Sequence, residues 1–216
     1  MPKKGINSPK GIYLLGYDPI GKQFKVLCLS MNNSPYSSPN RLILTLECGK
    51  RLWRRLEPEF NFMENSGGVV GDDICINGVL YFEGRLEGYF VIVCFDVRSE
   101  KFSFINKDML AMPFGFSGFL FNYKGKLGLH RPVGRKLVLL YLEDAGNHKW
   151  SKHSYVLSPL EENILKITSE FVYSWNSSVW FYNTEKNTVK RVDIQGTENP
   201  RIINTFVDYV ENMKFR

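Results

Sequence analysis

The chain has 216 residues, 28 Lys and Arg against 22 Asp and Glu, a formal net charge of +6 and 14% aromatic residues. That length fits one domain or two small ones and is enough to bury a sizeable core. No apolar run approaches the roughly 20 residues needed to cross a bilayer as a helix. The opening MPKKGINSPKG carries charge with no apolar stretch after it, which excludes a secretory signal. A cytoplasmic or nuclear protein is the expectation.

Residues 1–11 are polar and rich in Pro, Gly and Lys, and are expected to be a flexible N-terminus. Ile12-Tyr13-Leu14-Leu15-Gly16-Tyr17 reads as a strand, Asp18-Pro19-Ile20-Gly21-Lys22 as a turn, and FKVLCL at 24–29 as the returning strand. NNSPYSSPN at 32–40 is a loop by composition. A third strand spans 41–47, and Gly49-Lys50 turns it into Leu52-Trp53-Arg54-Arg55-Leu56.

The central stretch, 74–105, has the clearest pattern. Ile74-Cys75-Ile76 meets Asn77-Gly78, a dipeptide suited to the positive φ angles of a two-residue hairpin turn. Val79-Leu80-Tyr81-Phe82 follows, then a polar loop at 84–88. The run 89–95 is too apolar to face water and is expected to be buried on both sides. Residues 96–100 turn the chain into Lys101-Phe102-Ser103-Phe104-Ile105, which alternates with period two as a partly exposed edge.

The second half repeats the grammar. A Pro/Gly/Phe-rich connector at 112–118 leads to Leu120-Phe121-Asn122-Tyr123, a Lys124-Gly125 turn, Lys126-Leu127-Gly128-Leu129 and a buried run at 137–142. Residues 143–147 turn into His148-Lys149-Trp150-Ser151-Lys152. Ser158-Pro159-Leu160-Glu161 has the chemistry of a short helical turn. Strands follow at 171–175, 179–182, 188–192 and 202–210, with a turn at Asn176-Ser177-Ser178 and a C-terminal tail at 211–216.

Trp53, Phe102, Trp150 and Val189 recur at one point of this pattern, 49, 48 and 39 residues apart. A period of about 40–50 residues, each a small antiparallel sheet, matches propeller blades more closely than a β-sandwich. The expectation is an all-β, propeller-like domain over 12–210 with four to five blades, the ring complete or not.

Catalytic and metal chemistry are both expected to be absent. Cys28, Cys48, Cys75 and Cys94 form no CxxC pair and sit in apolar runs, as small core residues do. His130 is the first of three histidines; His148 and His153 flank Trp150 on an outer strand, a poor metal geometry. Gly115-Phe116-Ser117-Gly118 lacks the strand-to-helix setting of a nucleophile elbow. Asp72-Asp73 reads as loop, and Asp96 and Asp144 as turn caps. Trp53 and Trp150 are expected to pack rather than to form a ligand platform. The basic surplus raises nucleic-acid binding. The densest cluster, Lys50 to Arg55, is however short and reads as a solvated strand face, so neither a nucleic acid nor a membrane is expected as a partner.

GYDPIGKQFKVLCLS, INGVLYFEG, IVCFDVRSEKFSFI, YKGKLGLH, LYLEDAGNHKWSKHSYVL and TFVDYVENMKF, in that order, resemble the F-box-associated domain of plant F-box proteins, the type 3 or kelch-like variety. In that family an F-box docks on the Skp1–cullin ubiquitin ligase and the associated domain is held to recruit the substrate. Here the chain runs directly into GIYLLGYDP, so a substrate-recognition module without the Skp1-docking half is expected. The resemblance implies a non-enzymatic protein-interaction role with no cofactor and a ubiquitin-ligase substrate as partner. The contact surface is expected on the loops at one end of the blades, where connections vary most, with 32–40, 84–88 and 112–118 among the candidates. A carbohydrate-binding or glycan-processing propeller is the alternative.

Overall fold

The computed structural model describes residues 11–30, 41–46, 53–57, 62–64, 73–106, 119–133, 136–144, 149–156, 171–175, 178–183 and 188–193. They are all-β and propeller-like: sixteen strands in four small antiparallel sheets, taken in chain order. The chain divides into two compact units, Met1–Leu120 and Phe121–Arg216.

In the first unit, β1 (Gly11–Asp18), β2 (Gln23–Ser30), β3 (Arg41–Leu46) and β4 (Arg54–Leu56) form one sheet. The second sheet holds β5 (Phe62–Glu64), β6 (Ile74–Ile76), β7 (Val79–Leu86), β8 (Tyr89–Asp96) and β9 (Lys101–Asn106). β5 and β6 both pair with β7, at its opposite ends. Alternation sends Leu14, Leu27, Leu29 and Ile43 of the first sheet and Phe62, Leu80, Phe82, Val91, Val93 and Phe95 of the second into one shared core. The expected burial of 89–95 holds from Val91 to Phe95, whereas Tyr89 is exposed and Phe90 half-buried.

In the second unit, β10 (Phe119–Tyr123), β11 (Lys126–Val133), β12 (Lys136–Asp144) and β13 (Lys149–Val156) form a four-stranded sheet. β14 (Phe171–Trp175), β15 (Ser178–Asn183) and β16 (Thr188–Asp193) form a three-stranded one. Phe102, Trp150 and Val189 lie on the last strand of their sheets and Trp53 directly before β4, so the repeat marks one structural position. The shortened interval of 39 residues leads into the three-stranded sheet.

Two elements differ from expectation. The loop placed at 84–88 is largely strand: β7 continues through Leu86, and only Glu87-Gly88 turns, with φ of 52° and 88°. Glu83 and Arg85 supplied the polarity, yet they share one face of β7 while Gly84 between them is buried opposite Val91. β5 was not anticipated; three residues carry no readable period, and their strand state depends on pairing with β7. The expected helical turn at 158–161, the strand at 202–210, the tail at 211–216, and Cys48, Asp72 and His148 lie outside the described residues, as do 1–10 and 115–118.

The two sheets of the first unit are tied at one end by charge. Glu100, the last residue of the β8–β9 turn, takes a 2.8 Å hydrogen bond from Lys25 Nζ on β2 and is held by Arg54 of β4. Burial raises the Glu100 pKa, but hydrogen bonds from Lys25 and Arg54 outweigh it and hold the carboxyl below its ordinary value of 4.5. Its contribution to stability is therefore present at neutral pH and is lost as pH falls through that lowered value. Glu100→Gln is expected to destabilise the chain by about 2 kcal/mol in urea unfolding, because the Lys25 ammonium, 9% exposed, loses its counter-charge. A change under about 0.5 kcal/mol would show that the pair is held too loosely to matter.

Candidate interaction surface

The first unit has two ends. At the first, the turns after β1, β6 and β8 converge: a Cβ on Gly78 would lie 3.0 Å from Pro19 Cδ, Tyr17 N–H lies 3.4 Å from Cys75 Sγ, and Lys25 reaches Glu100. Antiparallel pairing then sends Ser30, Arg41, the Glu87-Gly88 turn and Asn106 to the other end. The strands leading into the expected contact loops 32–40 and 112–118 thus emerge beside the third, 84–88. The first two segments lie outside the described residues.

The β7–β8 hairpin is the described part of this end. Glu87 and Gly88 both take positive φ, the two-residue turn that matches strand twist, and space around Gly88 is open to beyond 4 Å. The tip presents Tyr89, 61% exposed, on one face. On the other face the Arg85 guanidinium lies over the Phe90 ring at 4.4 Å. Trp, Tyr and Arg are enriched among the side chains that dominate protein–protein contacts, and Tyr covers much area with only two torsions to fix. Beneath the tip, Phe62 pairs with Leu86, and buried Arg41 donates to the Phe62 carbonyl while its guanidinium sits 3.8 Å above the Phe62 ring. The exposed tip is thus built over a packed, buried pair.

Asp96 Oδ1 accepts from Ser99 N–H at 2.6 Å and Ser99 Oγ at 2.8 Å, as a turn cap does. Asp144 ends β12 opposite Lys149, and Asp73 is exposed just before β6. Cys28 and Cys94 are buried and Cys75 half-buried; burial pushes the Cys94 thiol up to about 12. Trp53 lies 6.0 Å from Tyr13, ring to ring, and half-buried Trp150 sits opposite Leu142. Arg54 and Arg55 are exposed on β4, with Arg54 bound to Glu100, and residues 50–52 of that cluster lie outside the described residues. Among the described residues no three His, Cys, Asp or Glu side chains are placed to share a metal ion. Sequence reasoning missed the Arg41–Phe62 pair and buried His130.

The family described as "F-box associated beta propeller domain" matches residues 1–212. The "Putative F-box protein At1g53370" of Arabidopsis thaliana is 40% identical, over 94% of this chain and 56% of its own length. The "F-box protein DOR" of the same plant is 36% identical, over 92% of this chain and 55% of its own. The "F-box protein At1g53790", also of Arabidopsis thaliana, is 34% identical, over 98% and 51%. The chain spans about half the length of these relatives.

Proposed function

We propose, from the premise that this chain belongs to the F-box associated beta propeller domain family, that it is the substrate-recognition module of an SCF-type ubiquitin-ligase adaptor. The observation that carries this reading is the match of nearly the whole chain to that domain, shared with F-box proteins. Residues 12–210 act as one module, in the cytoplasm or nucleus, by contact and not by catalysis. The target protein engages the end of the first unit that bears Tyr89 and the Arg85–Phe90 pair.

Affinity purification of the full chain from plant tissue tests this. The expected result is a recurring target protein, distinct from ligase subunits, whose ubiquitination falls when the chain is removed. Tyr89→Ala is expected to weaken capture of that target at least tenfold. Its thermal unfolding should be unchanged, because a side chain this exposed supports little packing. Undiminished capture by Tyr89→Ala together with Arg85→Ala would remove the hairpin from the contact surface. A lack of any effect on ubiquitination would overturn the substrate-recognition role itself.

A further inference from the structure

The four-stranded sheet of the second unit carries a row of rings that the hairpin surface does not use. Tyr123 on β10 stacks on Tyr141 on β12, with centroids 4.7 Å apart and planes inclined by 28°. Tyr141 stacks in turn on His153 of β13, at 5.4 Å and 8°, with His153 Nε2 3.3 Å from Tyr141 Oη. Rings on β10 and β12 meet across β11 only where β11 puts no side chain between them. The residue opposite Tyr141 is Gly128, and a Cβ there would come within 2.4 Å of the Phe121 ring. The row starts half-buried at Tyr123 and Tyr141 and ends on the exposed ring of His153.

Charge surrounds the row unevenly. Lys124 Nζ lies 5.9 Å from the Tyr123 centroid and Lys126 Nζ 5.9 Å from that of Tyr141, at the outer limit of cation–π attraction. Glu143 binds Lys149 at 3.1 Å and also attracts Lys126, so the lysines at this end of the sheet outnumber its acids but are partly offset by them.

We propose that this row binds an acidic peptide segment carrying an aromatic residue. The partner's ring stacks on His153 and extends the row by one member. Its carboxylates face Lys124 and Lys126. A polynucleotide fits less well: Glu143 and Asp144 sit at the same end of the sheet and would oppose an unbroken run of phosphates, whereas a peptide places its acids at intervals. The residues of this row all belong to the second unit, and the proposal does not rest on the Tyr89 hairpin.

The test is fluorescence anisotropy on the full chain, with a labelled random copolymer of glutamate and tyrosine as probe. Polyglutamate and polyuridylate serve as comparisons. Saturable copolymer binding is expected, weaker for polyglutamate and falling as salt rises. His153→Ala should lower copolymer affinity about two- to tenfold, the range of one aromatic stack. Lys126→Gln should lower it as well, and Tyr89→Ala should leave it unchanged. The circular dichroism of His153→Ala and Lys126→Gln should match that of the parent chain, since both side chains are exposed. The proposal falls if the copolymer does not saturate the chain, if both variants bind it like the parent, or if polyglutamate binds equally well. Tighter binding of polyuridylate would likewise overturn it, in favour of a nucleic-acid site.

Discussion

Phe62→Ala is expected to cost about 3–5 kcal/mol, the range for truncating a fully packed aromatic. Phe62 is 1% exposed and sits among three rings: Phe82 at 6.1 Å, Phe102 at 5.2 Å and Phe104 at 5.4 Å. Those rings come from β7 and β9, so Phe62 anchors β5, a strand of only three residues, to the whole sheet. The Arg41 guanidinium, buried and 3.8 Å above the same ring, would also lose an attraction worth about 2 kcal/mol in a desolvated setting. Much of a typical domain's stability of roughly 5–15 kcal/mol would then be gone. Urea unfolding of the full chain checks this: the midpoint should fall sharply with little change in slope. Phe62→Leu, which keeps most of the volume, should cost under about 2 kcal/mol. A loss below about 1 kcal/mol for Phe62→Ala would mean that this cluster does not hold the first unit together.

Local chemistry made the sheets readable before any coordinates. Asn77-Gly78 and Lys124-Gly125 both turn with positive φ at each residue, which Asn and Gly favour and which Lys124 adopts beside its glycine. The alternation of β9 and the apolar run of β8 were likewise plain, because strand faces and burial leave a period-two record. What stayed hidden depends on partners distant in sequence. Glu87-Gly88 was masked by the polar neighbours Glu83 and Arg85, whose shared face only the β7–β8 register reveals. The ring row joins residues 123, 141 and 153 across three strands, and its one local trace is the glycine at 128. Arg41 reads as the first residue of a strand, and nothing near it in sequence announces the Phe62 ring above which it is buried. The segment expected as a contact loop at 84–88 is strand through Leu86, with a two-residue turn at Glu87-Gly88. Its two companion segments fall outside the described residues.

His130 should make the chain lose stability on mild acidification. It is 1% exposed on β11, with the Phe121 ring 5.9 Å away at 66°, and burial pushes its pKa from 6.5 down to about 3. At neutral pH the imidazole is uncharged in both folded and unfolded chains and the shift contributes nothing. Below 6.5 the unfolded chain gains a proton that the folded chain refuses until about pH 3, so the unfolded state is favoured progressively across that window. The slope approaches about 1.4 kcal/mol per pH unit, or roughly 2 kcal/mol between pH 6.5 and 5. Among the described residues, Glu100 and Glu143 are both held below their ordinary 4.5 and give up their contributions only at lower pH than this interval. Urea titrations at about pH 7, 6 and 5 should show the decline, and His130→Leu should flatten it while retaining an apolar filling for the site. A parent chain equally stable at pH 6.5 and 5, or a variant with the same slope, would mean that the imidazole gains its proton without leaving the fold.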